Sequence, residues 1–216
     1  HLYSTYIVSA QLIWNFDGTP ADILLGSSQH SLAACDINGD GYKDLVAGST
    51  GYVFVFHGSS AGFASSPNKT LTGSGFFGVA VTCCHTNSDS YDDVIVGDYA
   101  NSVARVYLGG AGGVNTTSSF SVTGVSASNF GVSLTCGDMN GDGYDDLAVG
   151  ANAFANGQTN EGAVYVYYAS SFGSGLTTSG SVTIEGNDAG AGFGNILACG
   201  PINGDSYSDL IVGAPS

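Results

Sequence analysis

Residues 138–146 read Asp-Met-Asn-Gly-Asp-Gly-Tyr-Asp-Asp, and the same nine-residue pattern stands at three other places in the chain. Residues 36–44 read Asp-Ile-Asn-Gly-Asp-Gly-Tyr-Lys-Asp. Residues 85–93 read His-Thr-Asn-Ser-Asp-Ser-Tyr-Asp-Asp, and residues 201–209 read Pro-Ile-Asn-Gly-Asp-Ser-Tyr-Ser-Asp. Oxygen-bearing side chains fall at positions 1, 3, 5 and 9, with Gly or Ser between them. A short loop wraps a hard cation such as calcium in this way. Recurrence along one chain makes the fold an array of similar units.

The surroundings of each loop repeat as well. Phe-Gly stands eight residues before it at Phe77-Gly78, Phe130-Gly131 and Phe193-Gly194, with Ser28-Gln29 in that place in the first unit. A short alternating strand follows, as in 132–136. After the loop comes a compact apolar strand ending in glycine: 45–48, 94–97, 147–150 and 210–213. β-Branched and aromatic runs at 52–56, 103–108 and 163–168 predict a third strand, and 69–71, 120–123 and 181–184 a fourth. Four strands per ~50–60 residues, without helical periodicity, predict an all-β propeller of four-stranded antiparallel blades.

Phe-Gly, the acidic loop and a closing Gly-Ala-Pro (213–215) together resemble the FG-GAP repeat of integrin alpha-subunit β-propellers. The resemblance covers about residues 28–216 and is most complete over 130–184, with Glu161-Gly162-Ala163-Val164-Tyr165-Val166-Tyr167 as its third-strand signature. It implies calcium held between the first two strands of a blade and an extracellular setting, in adhesion receptors or in propellers attached to secreted enzymes. The repeats divide the chain at about 28–76, 77–129, 130–192 and 193–216. Integrin-like propellers have seven blades, whereas four repeats stand here, and the fourth reaches only its second strand. Residues 1–27 resemble the missing outer pair, with 11–16 as a third strand and 21–25 as a fourth. Three arrangements accommodate this: a ring clasped by both termini, the same exchange between subunits as in a fibre, or part of a longer propeller.

In loop 138–146, Asp138, Asn140, Asp142, Asp146 and the carbonyl of Tyr144 are the expected calcium ligands. In loop 36–44 they are Asp36, Asn38, Asp40, Asp44 and the Tyr42 carbonyl. Gly41 and Gly143 permit the sharp turn. Pro201 removes one ligand from the fourth loop, leaving Asn203, Asp205, Asp209 and the Tyr207 carbonyl. In the second, His85, Ser88 and Ser90 stand where Asp and two glycines are expected, so Asn87, Asp89, Asp93 and the Tyr91 carbonyl form the weakest set. No Glu stands at loop position 12, so these are not EF-hands.

The net charge of −15, with only Lys43, Lys69 and Arg105 as fixed cations, argues against nucleic-acid or anionic-membrane partners. No apolar run reaches the ~20 residues of a membrane span. The absence of a signal peptide at His1 fits a mature secreted chain or an excised fragment. Sequons at Asn68 and Asn115 are candidate glycan sites. Five cysteines fit no zinc spacing. They suit small buried residues on inner strands, and adjacent Cys83 and Cys84 point to opposite faces. A disulfide between neighbouring repeats is the alternative, with Cys35–Cys84 as its expected pair.

No histidine sits in a nucleophile-elbow context and no glycine-rich phosphate loop opens a helix, so the expected class is not an enzyme. A structural or assembly module comes first, with calcium as its cofactor. It would be a subunit of a glycosylated extracellular fibre, self-assembling or meeting protein partners through its termini. A cell-adhesion or ligand-binding propeller comes second, using the loop 152–160 or the turns near 61–68 and 109–118. An accessory propeller of a larger secreted enzyme comes third.

Overall fold

The computed structural model describes residues 11–14, 20–25, 29–64, 66–169, 176–177 and 181–215. Asn15, Phe16 and Ser28 lie outside them. The described residues form sixteen strands, all paired antiparallel. The first blade is β3 (Gln29–Cys35), β4 (Asp44–Ser49), β5 (Tyr52–Phe56) and β6 (Lys69–Thr72). The second is β7 (Val81–Cys84), β8 (Asp93–Asp98), β9 (Val103–Tyr107) and β10 (Phe120–Thr123). The third is β11 (Phe130–Gly137), β12 (Asp146–Ala151), β13 (Ala163–Tyr167) and β14 (Val182–Glu185). A fourth unit holds β15 (Ile196–Gly200) and β16 (Asp209–Gly213) alone. This is the array of four-stranded antiparallel propeller blades that the repeat spacing predicts. The N-terminal strands β1 (Gln11–Trp14) and β2 (Pro20–Leu25) pair with each other as a separate two-stranded sheet. Among the described residues they share no ladder with β16.

The apolar core lies between blades. Val46, Val53, Val55 and Leu71 of the first blade meet Val81, Val94, Val96 and Tyr107 of the second. Ile95, Val106 and Val122 meet Phe130, Leu147 and Val149 across the next junction. Ala148, Val164 and Val166 meet Leu197, Leu210 and Val212 across the third. The second strand of each complete blade is buried along its whole length. This is why those strands read as unbroken apolar runs: both faces are covered. In β16 the same run is only partly buried, and Ile211 is 50% exposed. Ile196 and Ile211 lie on the β15–β16 face opposite Leu197 and Val212, which pack on the third blade.

Inner strands approach so closely that glycine is required. A carbon added to Gly97 would lie 2.1 Å from the carbonyl oxygen of Gly131, in the Phe-Gly pair of the next blade. The equivalent distance is 2.1 Å at Gly48 against Gly78 and 2.0 Å at Gly150 against Gly194. The Phe-Gly glycines themselves have φ of 88°, 93° and 86° at Gly78, Gly131 and Gly194, a left-handed backbone that other residues resist. The glycine that closes each second strand and the glycine of the next Phe-Gly are therefore one contact seen from two sides.

The cysteines fasten the same junctions. Cys35 is bonded to Cys83, and Cys84 to Cys136. The expected pair Cys35–Cys84 does not form. Cys83 and Cys84 leave β7 on opposite faces, so one reaches back to the first blade and the other forward to the third. Each bond closes a loop of 48 or 52 residues, a constraint worth about 4 kcal/mol in the chain-entropy picture. Cys199 is unpaired, and Gly137 faces it where a third pair would fall: a carbon added there lies 2.7 Å from its sulfur.

These clearances lead to an asymmetric prediction for glycine replacement. Gly97→Ala should destabilise the protein by about 1–3 kcal/mol in thermal or denaturant unfolding. Gly112→Ala, where nothing lies within 4 Å, should be neutral or slightly stabilising. Equal effects at the two sites would contradict the packing.

Candidate calcium loops

Each acidic loop joins the first two strands of its unit and takes its shape from its own side chains. In loop 36–44, Asp36 accepts N–H bonds from Gly39 (2.8 Å), Asp40 (3.1 Å) and Gly41 (2.9 Å). Asn38 Oδ1 accepts from the Asp40 N–H at 3.0 Å, and Asp40 Oδ1 from the Tyr42 N–H at 2.9 Å. Loop 138–146 repeats the set, with Asp138 accepting from Gly141, Asp142 and Gly143 at 2.6, 3.1 and 2.9 Å. Asn140 and Asp142 accept from Asp142 and Tyr144 at 2.9 and 3.0 Å. Such side-chain-to-backbone bonds wrap a turn around its own oxygens. Both loops place position 4 in the left-handed region as well as the expected position 6, with φ of 72° and 86° at Gly39 and Gly41 and 79° and 91° at Gly141 and Gly143.

Three of the expected side-chain ligands converge. Asn140 Nδ2 lies 3.2 Å from Asp142 Oδ2 and 3.4 Å from Asp146 Oδ1. Asn38 Nδ2 lies 2.9 Å from Asp40 Oδ2. The positive end of an amide dipole thus sits between carboxylates at positions 5 and 9, a place whose field suits a cation. Among the described residues no three His, Cys, Asp or Glu side chains form a ready metal cluster. The three carboxylates of each expected set, Asp36, Asp40 and Asp44 or Asp138, Asp142 and Asp146, are thus not gathered around one point, and the convergence is that of the amide with positions 5 and 9. The donor set is all oxygen and partly anionic, as calcium prefers.

Position 9 does more than the sequence suggests. Asp44, Asp93 and Asp146 are fully buried. Asp44 accepts from the N–H groups of Ile37 (3.1 Å) and Gly58 (2.8 Å), and Asp146 from those of Met139 (3.0 Å) and Ala169 (2.9 Å). Asp209 accepts from the Ile202 N–H at 2.9 Å. This residue therefore latches its loop to the end of the third strand wherever a third strand is present. Burial pushes Asp44 and Asp93 above the ordinary carboxyl range, against the N–H and hydroxyl bonds that pull them down. Burial likewise raises Asp146 to about 6 against the Ala169 and Met139 bonds, with Asp142 and Asp138 adding to the rise.

The two divergent loops depart from the pattern in structure as well. In loop 85–93, Thr86 donates its hydroxyl to Asp93, as does Asn87 Nδ2 at 3.3 Å and the Gly109 N–H at 3.0 Å. Ser88 and Ser90 do not adopt the left-handed backbone of the glycines they replace. Protein donors thus already satisfy the carboxylate of this loop. Loop 201–209 keeps Asn203, Asp205 and Asp209 in hydrogen-bonded register, but Pro201 offers no side-chain oxygen.

Sequence reasoning overlooked Thr86 and the roles of Tyr91 and Tyr207. A carbon added to Gly39 would lie 2.7 Å from Tyr91 Cε1, and one added to Gly141 would lie 2.5 Å from Tyr207 Cε1. The tyrosine at position 7 thus covers the glycine at position 4 of the preceding loop. Its recurrence in all four loops was the available signal. The sequons Asn68 and Asn115 are both exposed, in the connections between third and fourth strands. Glu161 is fully buried and accepts from the Asn156 N–H, which pins the loop 152–160 over its blade.

The FG-GAP repeat family matches residues 21–65 and 130–167. Phosphatidylinositol-glycan-specific phospholipase D of Homo sapiens is 36% identical over 186 residues, covering 86% of this chain and 18% of that protein. Integrin alpha-8 of Gallus gallus is 32% identical over 214 residues, covering 86% of this chain and 20% of that protein. Integrin alpha-7 of Rattus norvegicus is 34% identical, covering 64% and 12%. The chain is an FG-GAP repeat protein resembling the propellers of integrin alpha subunits. It spans 12–20% of the length of these relatives.

A carboxyl raised by folding above its unfolded value of about 3.9 takes up protons on folding between the two values. In chelator, the contribution of Asp146 to stability should therefore decline as the pH rises from the unfolded value through about 6. The thermal midpoint of the protein relative to Asp146→Asn should rise on acidification from about pH 7 to about pH 5. A difference independent of pH would contradict a raised carboxyl.

Proposed function

We propose that the chain is an extracellular, calcium-stabilised FG-GAP propeller that serves as a structural or assembly module rather than as a catalyst. The observation that carries the calcium reading is the convergence of positions 3, 5 and 9 in loop 138–146. There a single amide nitrogen touches two carboxylates. Asp36, Asn38, Asp40, Asp44 and the Tyr42 carbonyl would hold one ion, and Asp138, Asn140, Asp142, Asp146 and the Tyr144 carbonyl another. The ion would neutralise carboxylates gathered in one turn and tie the first hairpin of the blade together. Loop 201–209 is a weaker site, and loop 85–93 the weakest.

The two disulfides suit an oxidising compartment, and the exposed sequons at Asn68 and Asn115 suit glycosylation there. Assembly is supported by the half-exposed Ile196 and Ile211 on one face of β15 and β16. A hairpin with the pairing of β1 and β2 supplies what a blade lacks after its second strand. Its addition to β16 of a neighbouring copy would build a fibre. A second reading, as an adhesion or ligand-binding propeller, draws on the similarity to integrin alpha subunits and on the pinned loop 152–160. Similarity to the phospholipase suggests in the same way a propeller carried by a larger secreted enzyme.

Calcium bound only by the folded chain stabilises by about 2.7 kcal/mol per site at a hundredfold excess over its dissociation constant. With two such sites, chelator should lower the thermal midpoint by roughly 10–20 °C, and calcium should restore it. An unchanged midpoint would overturn the calcium reading. Sedimentation should show chains of subunits, and compact monomers alone would remove the fibre.

A further inference from the structure

Each acidic loop after the first grips the loop of the preceding blade through its eighth position. Asp92, at position 8 of loop 85–93, accepts the Asp36 N–H on Oδ2 at 2.8 Å and donates its own N–H to the Asp36 carbonyl at 3.0 Å. Asp145, at position 8 of loop 138–146, does the same to His85, at 2.8 and 3.0 Å. At the third junction the residue is Ser208, and only the backbone half remains, from its N–H to the Asp138 carbonyl at 2.8 Å. The backbone of the first residue in each gripped loop is thus held by a residue from the next blade.

We propose that the carboxylate at position 8 is a positioning residue for the calcium site of the preceding blade, so that Asp92, remote in sequence, sets the affinity of loop 36–44. This rests on the calcium reading given above. Asp36 is the first ligand, and its carboxylate is the hub for three N–H groups of its own loop. The outer part of that loop, residues 39–43, is exposed, so little packing restrains it. Both polar groups of the Asp36 backbone are committed to Asp92. Turning Asp36 away from the loop centre would break a hydrogen bond to an ionised carboxylate, one of the stronger kinds in proteins. Lys43 Nζ, at 3.3 Å from the same oxygen, adds only an exposed pair. Two loops of nearly equal sequence are therefore unequal in support. Loop 36–44 has the complete grip, whereas loop 138–146 has only its backbone half.

The test is calcium titration by calorimetry on the full chain and its variants, with amide hydrogen exchange on the metal-free protein. Asp92→Ala should weaken one tight site about tenfold. Asp92→Asn keeps an acceptor oxygen and should stay within about threefold of the parent. Ser208→Asp should tighten the other site by supplying the missing half. Without calcium, the Asp36 amide should exchange faster in Asp92→Ala than in the parent or in Asp92→Asn. The proposal is overturned if Asp92→Ala leaves both sites unchanged, or if Asp92→Asn loses as much as Asp92→Ala, since charge alone would then account for the effect. If the parent takes up no calcium, the calcium reading fails. The exchange comparison still decides the grip, because equal rates at residue 36 would refute it.

Discussion

The contact on which the rest of this structure depends is the seating of one glycine carbonyl against another glycine in the neighbouring blade. Gly131 against Gly97, with its counterparts at Gly78 and Gly194, leaves no room for a side chain. That clearance sets the distance between inner strands. At that distance valines and leucines from facing sheets interdigitate, cysteines from successive first strands reach each other, and position-7 tyrosines lie over position-4 glycines. A larger residue at the contact would open all of these together, because they share one junction.

The acidic loops sit at the ends of these junctions and inherit their geometry. A loop with four oxygen-bearing positions and a net charge of −15 on the whole chain would repel itself if it were free. Here it is held internally by bonds from its own backbone and externally by a residue of the next blade. The buried carboxylate at position 9 ties the hairpin through its own hydrogen bonds. The loops therefore carry a hydrogen-bonded frame of their own. The four loops form a series graded by sequence, with Pro201 and His85 marking the places where side-chain donors run short.

The strands and loops could be read directly from the chain because each carries a local signature. The apolar runs ending in glycine, the nine-residue loops and the aromatic third strands all lie where the spacing predicts. The fourth strands follow it too, with Val182–Glu185 shifted by a single residue from 181–184. What remained hidden depends on which faces meet. The opposite orientations of Cys83 and Cys84 were legible, yet pairing them correctly required knowing that β7 has a blade on each side. The same holds for Asp92 and Asp145, whose partners lie 56 and 60 residues away in sequence. Thr86 was invisible for another reason. Position 2 is Ile or Met in the other loops, so nothing in the pattern marks a hydroxyl there as a donor to Asp93.

The polar groups of this array are engaged in holding blades together, and half-exposed isoleucines lie at the fourth unit. The most direct test of the account is anomalous X-ray diffraction from crystals grown with calcium. The account predicts strong peaks within loops 36–44 and 138–146, a weaker one in loop 201–209 and the weakest in loop 85–93. Four equal peaks, or no peak in the two complete loops, would contradict it.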